Sequence, residues 1–210
     1  MAYRLRAHES VAKGLKRVVS NESQSAIDQL DHAQPSDESI HEARKSIKKA
    51  RAVLQLVDET FDAERGIKQL RRAAHLLSPL RDAEAMIEMA EALCGGARRS
   101  LPAATCSALG DTLRHRKAGV SRVARRGHSV RKAVRSLQQV RRSAAAWKWK
   151  QVQSSTLISQ IRRSYKKARR RMRGLFAGSP PDTFHAWRKG IKQLWYAARL
   201  LEHRGSSPDK

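Results

Sequence analysis

The 210-residue chain has few of the residues that build disulfide frameworks, aromatic platforms or membrane spans. Two cysteines, with no CxxC pair, exclude a multi-bridge disulfide framework. Aromatic residues make up 5% of the chain, which leaves little surface for stacking nucleotide bases. No stretch approaches the roughly 20 apolar residues that span a bilayer, and the N-terminal MAYRLRAHES lacks a signal peptide's apolar run. These features predict a cytoplasmic protein without a membrane span.

Carboxylates are scarce, and the shortage is concentrated in one region. The chain carries 44 Lys and Arg against 19 Asp and Glu, a formal charge of +25. Residues 112–181 contain 21 Lys and Arg and no Asp or Glu. A solvated protein surface normally mixes both signs of charge. Because so large an excess destabilises the compact state by self-repulsion, it predicts a polyanionic partner.

Helix-forming residues dominate the chain, and the alternation typical of strands is rare. The pattern predicts an all-α protein with helices at about 6–32, 39–59, 62–93, 102–126, 129–147, 154–176 and 183–203. The third helix carries a possible break at Ser78 and Pro79. The other breaks follow Gly, Pro and Ser, which favour turns.

One pattern occurs twice. IHEARKSIKKAR at 40–51 and FHAWRKGIKQLW at 184–195 share H-x-x-R-K-x-I-K, 144 residues apart. A basic amphipathic helix precedes each copy, so the repeating unit is a helix, a loop and a second helix. The repeat predicts one domain made of two helical bundles related by a pseudo-twofold axis, one at 1–100 and a strongly basic one at 101–210.

Each histidine of the repeat begins a row of cations along one helix face, opposite an apolar face. Ser39 and Thr183 predict that each helix starts just before its histidine, where unpaired backbone N–H groups favour an anion. Arginine and lysine then offer donors to phosphate-like oxygens. The two rows are His41, Arg44, Lys45 and Lys48, and His185, Arg188, Lys189, Lys192 and Tyr196.

The helices that precede the two rows add further candidates. Residues 162, 166, 169 and 173 recur at helical spacing and form a second basic stripe. A weaker counterpart lies in the first half of the chain. The candidate anion-binding residues on these helices are Lys16, Arg17, Arg162, Arg163, Lys166, Arg169, Arg170 and Arg173.

The paired H-x-x-R-x-x-x-K helices, the segment LRRAAHLLSPLRD at 70–82 and the R-R-x-Y-x-x-x-R pattern at 162–169 resemble the CHAD family, the conserved-histidine α-helical domain. The resemblance runs from about residue 4 to residue 202. It implies two antiparallel four-helix bundles around a basic central channel or groove, and non-catalytic binding of inorganic polyphosphate, often at polyphosphate granules. It also implies a role for Lys49 and Arg51 of the first copy, whereas the second copy has Gln193 and Trp195 there.

Other functions remain open from the residues alone. The basic half would bind any nucleic acid non-specifically, and Trp147 and Trp149 would either stack bases or pack on the bundle. No histidine has the spacing of a metal site, and a wall of cations would repel a metal ion. We therefore expect no metal, no cofactor and no enzymatic activity. Binding of the basic helices to a membrane surface ranks low, because their apolar sides have the pattern of a bundle core.

Overall fold

The computed structural model describes residues 3–32, 34–61, 63–96 and 101–202. Over these residues the chain is helical and contains no strand, which confirms the predicted all-α fold. Every predicted helix is present, with ends within five residues of those expected, and α3 continues through Pro79. The helices are α1 Val11–Leu30, α2 Asp37–Val57, α3 Glu64–Gly95, α4 Ala103–Arg126, α5 Ser129–Ala146, α6 Ser154–Arg173 and α7 Pro181–Leu201, with one turn of 3₁₀ helix at Trp149–Gln151.

Four helices form a closed ring around the main core. α1 packs on α2, α2 on α3, α3 on α5, and α5 returns to α1. Each helix turns one apolar stripe inward, as amphipathic helices of a bundle do. Leu15, Leu54, Leu70 and Leu137, one from each helix, are completely buried. The ring is therefore built from three helices of the first half and one of the second.

The remaining helices pack on the outside of this ring. α4 lies along α3 and is joined to it by the disulfide between Cys94 and Cys106. α6 and α7 pack chiefly on each other and, more lightly, on α2. The backbone of Leu5 donates a hydrogen bond of 2.8 Å to the carbonyl of Leu200, which ties the end of α7 to the N-terminal segment. The second four-helix bundle implied by the resemblance is not confirmed in the described residues.

An aromatic cluster closes one end of the ring. Phe61 stacks on Trp147 with ring centroids 5.8 Å apart and meets the edge of Trp149 at 5.1 Å. Trp149 is 4% exposed, and its indole N–H donates to the carbonyl of Ala144 at 2.7 Å. Gly66 at the start of α3 faces Trp147 directly. The two tryptophans are packing residues, which leaves the nucleic-acid hypothesis without its stacking platform.

Candidate anion-binding site

Both repeated helices begin earlier than the sequence predicts. Ser36, not Ser39, caps α2, and its hydroxyl accepts a hydrogen bond of 3.1 Å from the backbone of Ser39. α7 begins at Pro181. His41 and His185 are consequently each the fifth residue of their helix, where the backbone N–H is already used within the helix. The expectation that they sit among unpaired N–H groups is wrong, because an earlier serine and a proline supply the helix starts.

The two copies of the motif nevertheless meet at their cationic residues. Lys48 of α2 lies close enough to four cations for their charges to act on it, two from its own helix and two from α7. Lys48 and Arg51 are half-buried, and neither forms an ion pair with any described carboxylate. Arg188 and Lys192 are exposed and likewise unpaired within the described residues. We call Arg44, Lys48, Arg51, Arg188 and Lys192 the Lys48 cluster.

Burial first, and then the charges of neighbouring cations, lower the pKa of three members of the Lys48 cluster. Burial, and then the charges of its four neighbours, lower the pKa of Lys48 from its ordinary value of 10.5. Burial and the nearby Arg71 of α3 lower the pKa of Arg51. Burial also lowers the pKa of Arg44, although Asp82 opposes that effect. Because each of these cations is costlier to charge here than in water, an anion placed among them would relieve the repulsion.

Several predicted binding residues are already occupied. Arg44 donates hydrogen bonds of 2.7 Å to the carbonyl of Ala74 and to the hydroxyl of Ser78, which fastens α2 to α3. Lys45 pairs with Glu42 at 2.6 Å, and Lys49 with the buried Glu22 at 3.4 Å. These three side chains have fixed partners within the fold. Among the lysines and arginines of α2, only Lys48 and Arg51 have neither a hydrogen-bond partner nor an ion-pair partner in the described part of the chain.

The first-half counterparts on α1 also have structural partners. Lys16 donates a hydrogen bond of 3.2 Å to the carbonyl of Ala145 at the end of α5. Arg17 pairs with Glu9 and donates to the carbonyl of Arg4. Both cations therefore fasten neighbouring segments to α1, and the structure does not bring them to the Lys48 cluster.

The basic stripe of α6 points away from α7. Leu157, Gln160 and Ala168 mark its buried side, and Ala168 contacts Gly190 of α7. At about 100° per residue, the stripe of 162, 166, 169 and 173 lies on the opposite, exposed side. Arg163 instead pairs with Glu59 after α2. The remaining candidates, Arg170 and Lys189, are exposed.

Tyr196 distinguishes the second copy of the motif from the first. It is half-buried, its ring meets the edge of Tyr3 at a centroid distance of 6.0 Å, and burial raises the pKa of its hydroxyl. The charges of Lys45 and Arg51 act on the same hydroxyl. Tyr196 thus forms one wall beside the Lys48 cluster, whereas the first copy has the small, buried Ala52 at the matching position.

The surroundings of the two motif histidines differ. His41 is half-buried, and the carboxylates of Glu42 and Glu88 lie within electrostatic reach of it at this end of α2. His185 is exposed. The sequence predicts that the cationic row starts at the histidines. In the structure, the portion of the α2 row without carboxylate partners begins at Lys48. Sequence reasoning also missed Arg71, whose only signal was its place in the basic 70–82 segment.

As the pH is raised, anion binding is expected to weaken at a lower pH than it would if Lys48 had the pKa of an ordinary lysine. Because the pKa of Lys48 is lowered in the folded protein, this ammonium loses its proton, and its attraction for anions, below the usual value. In the same window the unfolded chain holds more protons than the folded one, so the free energy of unfolding should rise with pH. Calorimetric titration and urea unfolding over the alkaline range measure the two trends.

The variant K48R is the control for this pH dependence. Arginine keeps its charge throughout the alkaline range, so its affinity should stay level where that of the parent protein falls. If K48R and the parent protein show the same pH profile, then Lys48 is not the titrating group and the assignment is contradicted.

A family model described as the CHAD domain matches residues 11–207. No curated protein and no solved structure matches the chain significantly. Among the described residues no helix is long and apolar enough to cross a membrane, and no three His, Cys, Asp or Glu side chains converge as metal ligands would.

Proposed function

Because the chain belongs to the CHAD family, we propose that it binds inorganic polyphosphate, without catalysis, at the Lys48 cluster between α2 and α7. The observation that carries the proposal is the convergence of five cations from two helices with a half-buried lysine at their centre. A chain of phosphates presents regularly spaced anionic oxygens and no bases. It therefore requires rows of cations, not aromatic platforms.

The geometry of the Lys48 cluster suits an extended anion better than a single phosphate. Lys48 and Arg51 are on successive turns of α2, and Arg188 and Lys192 are on successive turns of α7, so the cations form two facing rows. Arginine contributes planar forks and lysine point charges. Arg71 extends the row on the α3 side. Sulfate or phosphate ions are expected to occupy the same positions in crystals.

Non-specific nucleic-acid binding is the second candidate function. The carboxylate-free region at 112–181 favours it, because exposed cations attract any phosphate backbone. The burial of Trp149 and the packing of Trp147 on Phe61 weigh against it, since both rings are engaged in the fold.

In the cell, polyphosphate binding would place the protein in the cytoplasm on polyphosphate granules.

The test compares two polyanions of equal total charge. Long-chain polyphosphate and short double-stranded DNA are titrated against the full chain in physiological salt. We expect polyphosphate to bind at least about ten-fold more tightly, because the Lys48 cluster offers rows of cations to a chain of phosphates and no aromatic platform for the bases of DNA. Equal affinities would show that net charge alone drives binding, and would overturn the proposal in favour of non-specific electrostatics.

A further inference from the structure

The hairpin of α6 and α7 exposes an apolar face. On α6, Ile158, Tyr165 and Met172 are 46%, 51% and 49% exposed and follow one another at seven-residue intervals, so they form a line along the helix. On α7, Ile191 and Trp195 continue the arrangement at 39% and 50%. The sequence pattern assigns Tyr165, Met172 and Ile191 to a bundle core, but no described residue covers the face that they form with Ile158 and Trp195.

The two lines lie on one side of the hairpin. α6 and α7 run antiparallel, since Ala168 contacts Gly190 and the guanidinium of Arg171 donates to the carbonyl of Ala186. Ala197 and Leu200 are the α7 residues buried against the bundle. At about 100° per residue, the exposed line of α7 lies opposite them, and the line of α6 emerges on that same outer side. Together they form a surface two helices wide.

Cations border this surface, and carboxylates are rare around it. On α6, Arg162 and Arg169 are adjacent to the apolar line, and both are exposed. On α7, the guanidinium of Arg199 lies over the ring of Trp195 at 5.1 Å, with the carboxylate of Glu202 3.9 Å from its Nε. Apolar and aromatic side chains flanked by long cations are the pattern of helices that rest in the headgroup region of a membrane.

We propose that the outer face of the α6–α7 hairpin docks onto an anionic lipid surface. The apolar lines enter the headgroup boundary, and the bordering arginines pair with lipid phosphates. A second copy of the chain fits this face less well, because pairing two such faces brings their arginines together. Arg188 and Lys192 are turned about 60° on average from the apolar line of α7, so the Lys48 cluster lies at the edge of the docked face.

The test uses vesicles of phosphatidylcholine with and without phosphatidylglycerol, and the variant I158S/Y165S/M172S. The variant keeps every charge, so adsorption by charge alone would leave its binding to anionic vesicles unchanged, and this result would overturn the proposal. If the apolar line inserts, binding should fall by about ten-fold or more. Neutral vesicles should bind weakly in either case.

Further controls separate insertion of the apolar line from unfolding and from self-association. M89S/L93S removes apolar side chains that are 59% and 63% exposed on α3, and it should bind vesicles like the parent protein. Circular dichroism and thermal melting establish that each variant is folded. Sedimentation equilibrium without lipid should give a monomer, and a dimer that the triple substitution dissociates would show that the face binds a second copy instead. Polyphosphate affinity of the triple variant should be unchanged, which separates this proposal from the one for the Lys48 cluster.

Discussion

Replacing Lys48 and Lys192 together with glutamine is expected to weaken polyphosphate binding roughly 100-fold. The two lysines come from different repeats, and the charge of one acts on the other. Losing two charge-assisted contacts costs about 3 kcal/mol of binding free energy at about 1.5 kcal/mol each. Thermal stability should not fall, because the substitutions relieve repulsion and break no described ion pair. Calorimetric titration and thermal melting of the same samples measure both quantities.

The variant K132Q/R135Q is the matched control for that loss. Both residues are exposed on α5 and outside the Lys48 cluster, and the substitutions remove the same two charges. Its affinity should change by no more than about two-fold, since distant exposed charges are screened by salt. An equal loss in the two variants would contradict a localised site and leave only the overall charge of +25. A folded K48Q/K192Q variant with parental affinity would exclude the cluster itself.

Substituting Gly66 by alanine is expected to destabilise the fold by about 2 kcal/mol. A Cβ atom at this position would lie 2.5 Å from Cη2 and 2.7 Å from Cζ2 of Trp147. The indole cannot easily move, because Phe61 stacks on it and Trp149 lies beside it. The aromatic cluster would have to shift, which would loosen the contact between α3 and α5. Urea unfolding followed by circular dichroism measures the free energy.

Gly119 provides the opposite case for the same substitution. It lies inside α4, and a Cβ there would meet no atom within 4 Å. G119A should therefore stabilise the protein by up to about 1 kcal/mol, because alanine is the better helix former. If G66A raises the free energy of unfolding as G119A does, then the close contact with Trp147 does not limit residue 66.

The helices could be predicted from the sequence because the information is local. Their ends coincide with Gly, Pro and Ser residues, and their apolar stripes have the helical period. The sequence predicts the wrong cap for α2 because Ser36 and Ser39, three residues apart, each carry a hydroxyl that can cap a helix. Once Ser36 caps the helix, Glu42 is free of the capping box and pairs with Lys45. Which of two serines caps depends on how the preceding loop approaches.

Which residues belong to the site depends on contacts between helices, and the spacing of residues in the sequence does not reveal these contacts. Arg44, Lys48 and Lys49 are all cations of one basic helix, but their surroundings differ. Arg44 bonds to α3, Lys49 pairs with Glu22 of α1, and the charges that act on Lys48 are those of cations on α2 and α7. Arg44 and Lys49 are engaged by the fold, and Lys48 is not. The stripe of α6 has correct helical spacing, yet its rotation about the helix axis was fixed by Ala168 packing on Gly190. Periodicity predicts that a face exists but not where it points.

The ring of α1, α2, α3 and α5 has a consequence for how the chain is made. Its fourth wall comes from residues 129–146, after α4 has been set aside on the outer surface. On the ribosome, the apolar stripes of α1 to α3 must wait until Ala146 has left the exit tunnel before they can be fully enclosed. An N-terminal fragment ending near residue 100 would keep an open seam between α1 and α3, so the first half of the repeat is a unit of sequence but not of folding.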